Sequence, residues 1–195
     1  MAVASLCLST SAVADDVSPK PSVHVKCCGR IRHGLMAIGG ETTGTKIRFE
    51  RISWELKLND AAHRAFAEKH NKEQVVVTGS LRKVKGIEVK DRWIVDVKTI
   101  AVCDPTKDRE ETLLAIHGTL RSKAAGVAAG MTIEAGGQSW PVDFATDLRL
   151  QPVAESLLNQ HVSLVGQLKQ FPEEESREPV LQVKTLKLPT DDCRE

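Results

Sequence analysis

Apolar residues skip single positions along much of this chain. Val75 and Val77, Val95 and Val97, Val162 and Leu164, and Leu181 and Val183 each bracket one other residue. That period of two marks strands with one buried face. The stretch 23–32 opens the pattern, a turn through Gly34 follows, and a short extended piece at 35–38 leads to Gly39-Gly40. Within 46–58, Trp54, Leu56 and Leu58 share one phase, while Ile47 and Phe49 lie in the other. A bulge near Glu50-Arg51 is expected to reconcile them within one strand. Asn59 or Asp60 then caps a helix running to His70. Strands at 74–82 and 88–102 follow, joined at Lys85-Gly86. The order is three strands, a helix and two strands.

The same text is written twice. Ser53-Trp54-Glu55-Leu56 matches Ser139-Trp140-Pro141-Val142, and Val97-Lys98-Thr99-Ile100 matches Val183-Lys184-Thr185-Leu186. Val77-Thr78-Gly79-Ser80-Leu81 matches Leu164-Val165-Gly166-Gln167-Leu168, and Gly29-Arg30-Ile31-Arg32 matches Gly118-Thr119-Leu120-Arg121. Four matches in one order at a nearly constant offset indicate an internal duplication. The copies span 23–103 and 111–188. The charged, proline-bearing stretch 104–110 reads as a linker between them. The second copy places its helix at 151–160. Gly79 and Gly166 lie inside strands, where a barrel bends or another backbone passes close.

Three strands, a polar-capped helix, a V-x-V-x-G-x-L strand, a glycine turn and a last strand resemble the OB-fold, a five-stranded Greek-key barrel. The pattern looks like the OB-type domains of exported bacterial proteins and covers both copies. The resemblance implies a mainly β chain of two tandem five-stranded OB-like barrels, each with one helix between strands 3 and 4. It also implies a ligand face on strands 2–3, between the 1–2 and 4–5 loops.

The N-terminus agrees with export. Residues 2–8 are mostly apolar, and Ala12-Val13-Ala14 supplies the small-residue pattern of a signal-peptide cleavage site, so 1–14 reads as a signal peptide although no Lys or Arg precedes the apolar run. The implied location is periplasmic or secreted. Cleavage would leave Cys27, Cys28, Cys103 and Cys193, whose pairing the sequence leaves open. Cys27 and Cys28 point to opposite sides of a strand, so at most one is expected in the core.

Charge separates the copies. The chain as a whole carries 27 Lys and Arg against 26 Asp and Glu. The first copy holds sixteen cations against nine acids, the second seven against nine. Arg30 and Arg32 on the first strand, with Arg82, Lys83, Lys85 and Lys90 around the last hairpin, form a basic cluster. Glu173-Glu174-Glu175 occupies the corresponding loop of the second copy. Such a cluster attracts a polyanion, an acidic glycan or nucleic acid, or an acidic protein surface. Trp54 and Trp140 sit in phase with apolar neighbours and belong to the core. Trp93, between Arg92 and Ile94, is the candidate for stacking on a base. The candidate ligand-binding residues are therefore Arg30, Arg32, Arg82, Lys83, Lys85 and Trp93.

Enzyme signatures are weak. The G-x-S-x-G, H-E-x-x-H and Walker patterns are absent. Ser80-Leu81-Arg82-Lys83 fits S-x-x-K but falls in a strand instead of opening a helix. His24, Cys27 and Cys28 offer metal ligands, yet a tetrahedral site needs more than they place on one face. His63 and His70 lie on a helix surface. The sequence reading is thus an exported, non-catalytic protein without cofactor or metal, built to bind an unidentified protein or acidic glycan. The alternative is an intracellular single-stranded nucleic-acid-binding protein.

Overall fold

The computed structural model describes residues 20–36, 42–49, 52–86, 91–104, 106, 108, 112–122, 130–169 and 179–188. The signal-like segment 1–14, Lys90, Glu173-Glu174-Glu175 and Cys193 lie outside them.

The described chain is mainly β. Its elements in order are β1 (Ser22–His33), β2 (Thr45–Phe49), β3 (Ile52–Lys57), α1 (Ala61–Lys69), β4 (Gln74–Lys85) and β5 (Asp91–Val102). Then come β6 (Thr112–Ser122), β7 (Met131–Ala135), β8 (Gln138–Asp143), α2 (Leu150–Ser156), β9 (His161–Lys169) and β10 (Val180–Lys187).

The first five strands close on themselves. β1 is long enough to serve two neighbours: residues 24–30 pair with β4 and residues 30–33 with β2. β2 pairs with β3, β3 runs parallel to β5, and β5 returns to β4. The result is a five-stranded closed barrel of OB type. Its interior takes one face of each strand, including Val25, Cys27, Ile31, Ile47, Trp54, Leu56, Val75, Val77 and Val95. The last five strands repeat these pairings strand for strand: β6 with β9 and β7, β7 with β8, β8 parallel to β10, and β10 with β9.

Close backbone contact accounts for the repeated glycines. A Cβ at Gly29 would sit 2.6 Å from the Arg48 carbonyl oxygen. At Gly79, Gly118 and Gly166 it would sit closer still to the carbonyls of Asp96, Glu134 and Gln182. The strands curl there so tightly that no side chain fits.

Helix α1 begins as the sequence indicates: the Asp60 carboxylate accepts the His63 backbone N–H at 2.6 Å. It buries Ala67 and leans Phe66 on the core. Helix α2 is shorter than the 151–160 expected, at Leu150–Ser156. Each helix is followed by a residue with positive φ, Lys72 and Asn159. The N–H of each donates to a first-strand carbonyl, Ile31 at 2.9 Å and Leu120 at 2.8 Å.

Two expectations need correction. The stretch 46–58 is not one strand but two, β2 and β3, which pair antiparallel with Phe49 opposite Ile52; Glu50-Arg51, where the bulge is expected, lie outside the described residues. The three strands before α1 are β1, β2 and β3, and residues 35–36 join β1 to β2 outside any strand. Second, the two halves are one hydrogen-bonded network, because residues 22–27 of β1 pair antiparallel with residues 112–117 of β6. The stretch between β5 and β6 is held to β1: Asp108 Oδ1 is 3.0 Å from Lys26 Nζ, and Cys103 is disulfide-bonded to Cys28. The neighbouring cysteines do point to opposite sides of β1, and both are buried. Cys27 faces the barrel interior, and Cys28, on the outer side, is covered through its bond to Cys103. Burial pushes the free Cys27 thiol up to about 12.

Candidate functional site

The outer surface of the closed barrel carries side chains from β1, β2, β3, β5 and β4, and the registers arrange them in rows that run around it. One row runs through Arg32, Lys46, Glu55, Ile94 and Arg82, one residue from each strand. Beside it, Arg30 stands opposite Arg48, and Arg48 opposite Ser53. Arg92 continues this second row on β5, opposite Val84. A third row holds Lys57, Asp96 and Ser80. Neighbouring rows are about 6.6 Å apart along a strand, and neighbouring strands about 4.8 Å apart.

Among the described residues, seven cations stand in these rows, Arg30, Arg32, Lys46, Arg48, Lys57, Arg82 and Arg92, against two acids, Glu55 and Asp96. Both acids are engaged. Asp96 takes Arg82 Nε at 2.7 Å and Lys57 Nζ at 3.3 Å. Glu55 is 7 % exposed and accepts a forked pair from Arg92, Nε at 2.9 Å and Nη2 at 2.6 Å, with the Thr43 N–H at 3.0 Å. Burial of Glu55 opposes its ionisation. The Arg92 hydrogen bonds, the Thr43 N–H and the charges of Arg92 and Lys46 outweigh that and hold its carboxyl below the usual value. Arg30, Arg32 and Arg48 are exposed and have no acidic partner among the described residues. Among the described residues this surface therefore carries more positive than negative charge, a balance that attracts anions.

The six residues singled out from the sequence divide between two places. Arg30, Arg32 and Arg82 belong to the outer face. Lys83, Lys85 and Trp93 occupy alternate positions of the β4–β5 hairpin and project to its other side. Trp93 shares the phase of Val95 and Val97 and is half-buried against the core. It packs on Trp140 of β8, with ring centroids 5.0 Å apart, and Lys83 Nζ lies 5.6 Å from its ring centre. The Lys83 carbonyl accepts Gln138 Nε2 at 3.3 Å. Trp93 is thus a packing residue where the halves meet, not a freestanding ring.

Lys46, Arg48, Lys57 and Arg92 join the face without having been singled out. A signal for two of them was present: apolar Phe49 and Ile52 flank two polar residues at a phase inversion, which is how a tight hairpin reads. Folding 46–58 back on itself sets Lys46 and Arg48 beside Arg32 and Arg30.

The other candidates lie elsewhere. Ser80 is mid-strand, opposite His24 and Asp96. Cys28 is in the disulfide, Cys27 is inside the barrel, and His24 turns outward toward His117, ring centroids 6.2 Å apart. His63 lies on α1 and His70 directly follows it, with Asp60 and Glu73 as their partners. No helix among the described residues is long and apolar enough to cross a membrane.

No protein-family model and no curated protein matches the sequence. Solved structures do match the fold. The wild-type single-stranded DNA binding protein from Thermus aquaticus aligns with a TM-score of 0.51 at 13% identity, over 88% of this chain and 95% of its own. A deletion mutant of the same protein gives a TM-score of 0.51 at 13% identity, over 89% and 97%. The likeness shows a shared OB-type fold. It does not extend to the exported proteins that the sequence pattern suggested. Both neighbours are single-stranded DNA binding proteins, which counts against the binding module for a protein or acidic glycan that was the main reading of the sequence.

Proposed function

We propose that this protein binds single-stranded nucleic acid, and that it does so on the outer face of the first barrel. In this reading the chain is two OB-type barrels fused through β1 and β6. The observation that carries it is the surplus of cations in register across five strands of a barrel whose fold is shared with single-stranded DNA binding proteins. OB barrels engage ligands on the face of strands 2–3, and here that face holds Lys46, Arg48 and Lys57 between the arginines of β1 and β5.

Phosphate contacts of this kind bind without regard to sequence and weaken with salt, by about 0.7 in log–log slope per phosphate neutralised on a single strand. Arg30 and Arg48 are the residues to remove, because neither holds a structural ion pair. Fluorescence anisotropy with a labelled oligo-dT, from low to moderate salt, tests the reading. The double substitution Arg30→Glu with Arg48→Glu should weaken binding roughly 100-fold at low salt, at about 1.5 kcal/mol or more per charged contact. It should also flatten the salt slope while leaving the urea midpoint in place. Absence of any oligonucleotide binding by the wild type at low salt would refute the proposal.

A further inference from the structure

The wild-type face holds the charges of a nucleic-acid site but none of the rings that such sites use to grip bases. We infer that it recognises the backbone alone: a flexible chain of phosphates, with or without bases attached. The inference rests on the outer face of the first barrel being the polyanion site.

Between Ser22 and Cys103 the sequence contains four phenyl or indole side chains, Phe49, Trp54, Phe66 and Trp93. The structure commits every one of them elsewhere. Phe49 and Trp54 meet edge to face inside the barrel, with centroids 4.8 Å apart and exposures of 3 % and 1 %. Phe66 lies against His70 on α1 at 4.3 Å, and Trp93 against Trp140 at 5.0 Å. The segments joining β1 to β2 and β4 to β5 contribute no further ring, since residues 34–44 and 86–90 contain no Phe, Trp or Tyr. Stacking contributes about 1–3 kcal/mol per base where it occurs. A site without it must draw its affinity from Arg30, Arg32, Lys46, Arg48 and their neighbours.

The grid suits a linear phosphate chain. Arg32 beside Lys46 and Arg30 beside Arg48 set four cations on adjacent strands, about 4.8 Å apart across β1 and β2 and about 6.6 Å apart along them. The second half lacks this cluster: Thr119 matches Arg30, Glu134 matches Arg48, and Arg121, which matches Arg32, is bonded to Glu134 and Asn159. The footprint is thus centred on the first barrel and on a few phosphates.

Three probes with equal numbers of phosphates separate the possibilities by titration calorimetry at low salt: oligo-dT, the same oligomer with every base removed, and inorganic polyphosphate. The abasic oligomer should bind within about threefold of oligo-dT, because losing even one stacked base would cost about fivefold to 150-fold. Polyphosphate should bind as well, and Arg30→Glu with Arg48→Glu should weaken all three alike. If oligo-dT binds and the abasic chain is tenfold weaker or worse, the bases are held and this inference fails while the nucleic-acid reading stands. If the phosphate chains bind and oligo-dT does not, bases are excluded from the site, and the nucleic-acid reading and the inference fall together. If the double variant weakens none of them, the face is not the site and the inference falls.

Discussion

The two halves carry different surfaces on one frame. Inside, they correspond closely. Trp54 and Trp140 are buried at the same place on the third strand of each half, and the glycine pairs 29/118 and 79/166 meet a neighbouring carbonyl in the same way. Lys72 and Asn159 take positive φ at the same turn. Outside, the correspondence breaks. Lys46 becomes Thr132, Arg48 becomes Glu134 and Lys57 becomes Asp143. Arg32 has a basic counterpart in Arg121, but Arg121 is spent on Glu134 at 3.2 Å and Asn159 at 2.8 Å. A barrel interior admits few alternatives, because volume and close approach are set by the opposite wall. An outward strand position touches only water and its cross-strand neighbours, so its charge is free to differ.

The disulfide separates the halves most sharply. Cys28 and Cys103 tie β1 to the end of β5, 75 residues apart, whereas the counterpart of Cys28 on β6 is His117. Closing a loop of that length stabilises by about 4 kcal/mol in the chain-entropy view. Cys103→Ser should lower stability by that amount, and reductant should bring the wild type down to the variant. Urea denaturation with and without dithiothreitol measures both, and overlapping curves for wild type and variant under oxidising conditions would remove the disulfide from the comparison.

Next in size are the shared glycines. Gly79→Ala and Gly166→Ala each force a methyl against a backbone carbonyl, at a cost of about 1–3 kcal/mol. Similar losses in denaturant midpoint are expected. A large loss in one half and none in the other would show that the frames are not equivalent.

The surface difference can be written back into the second half. Thr119→Arg with Glu134→Arg restores two cations and releases Arg121, and should raise oligo-dT affinity about tenfold at low salt by adding one or two phosphate contacts. Unchanged affinity in the same anisotropy assay would mean that the first barrel binds through something other than this charge pattern.

The smallest effect concerns His117. Burial lowers its pKa, and the charges of His24 and His161 lower it further. The folded chain therefore resists its protonation. This group's contribution to stability is complete above about pH 6.5 and declines as the pH falls through the lowered value. His117→Gln should flatten the dependence of the melting temperature on pH between about 7 and 5, and an unaltered profile would exclude His117 as its source.

Much of the frame was legible because it rests on local periodicity. Alternating Val and Leu, the Asp60 cap and the duplicated glycines each record a constraint within a few residues of themselves. The phase inversion at Glu50-Arg51 was visible too, but a bulge and a hairpin satisfy the same alternation, and only the pairing of Phe49 with Ile52 decides between them. The site was half legible for the same reason. Arg30, Arg32 and Arg82 are marked by charge alone, whereas Lys46 and Arg48 gain their meaning from the strand folded beside them.

The sequence by itself determined a duplicated β frame with one basic and one acidic copy, because strand period, turn chemistry and net charge are properties of neighbouring residues. Tertiary structure alone decided the rest: that β1 pairs with β6, that Cys28 bonds Cys103 and leaves Cys27 buried, that Trp93 rests on Trp140, and that charges from five strands fall into rows. Each of these joins residues far apart in the chain, and no local pattern specifies which distant partner closure of a barrel will bring within reach.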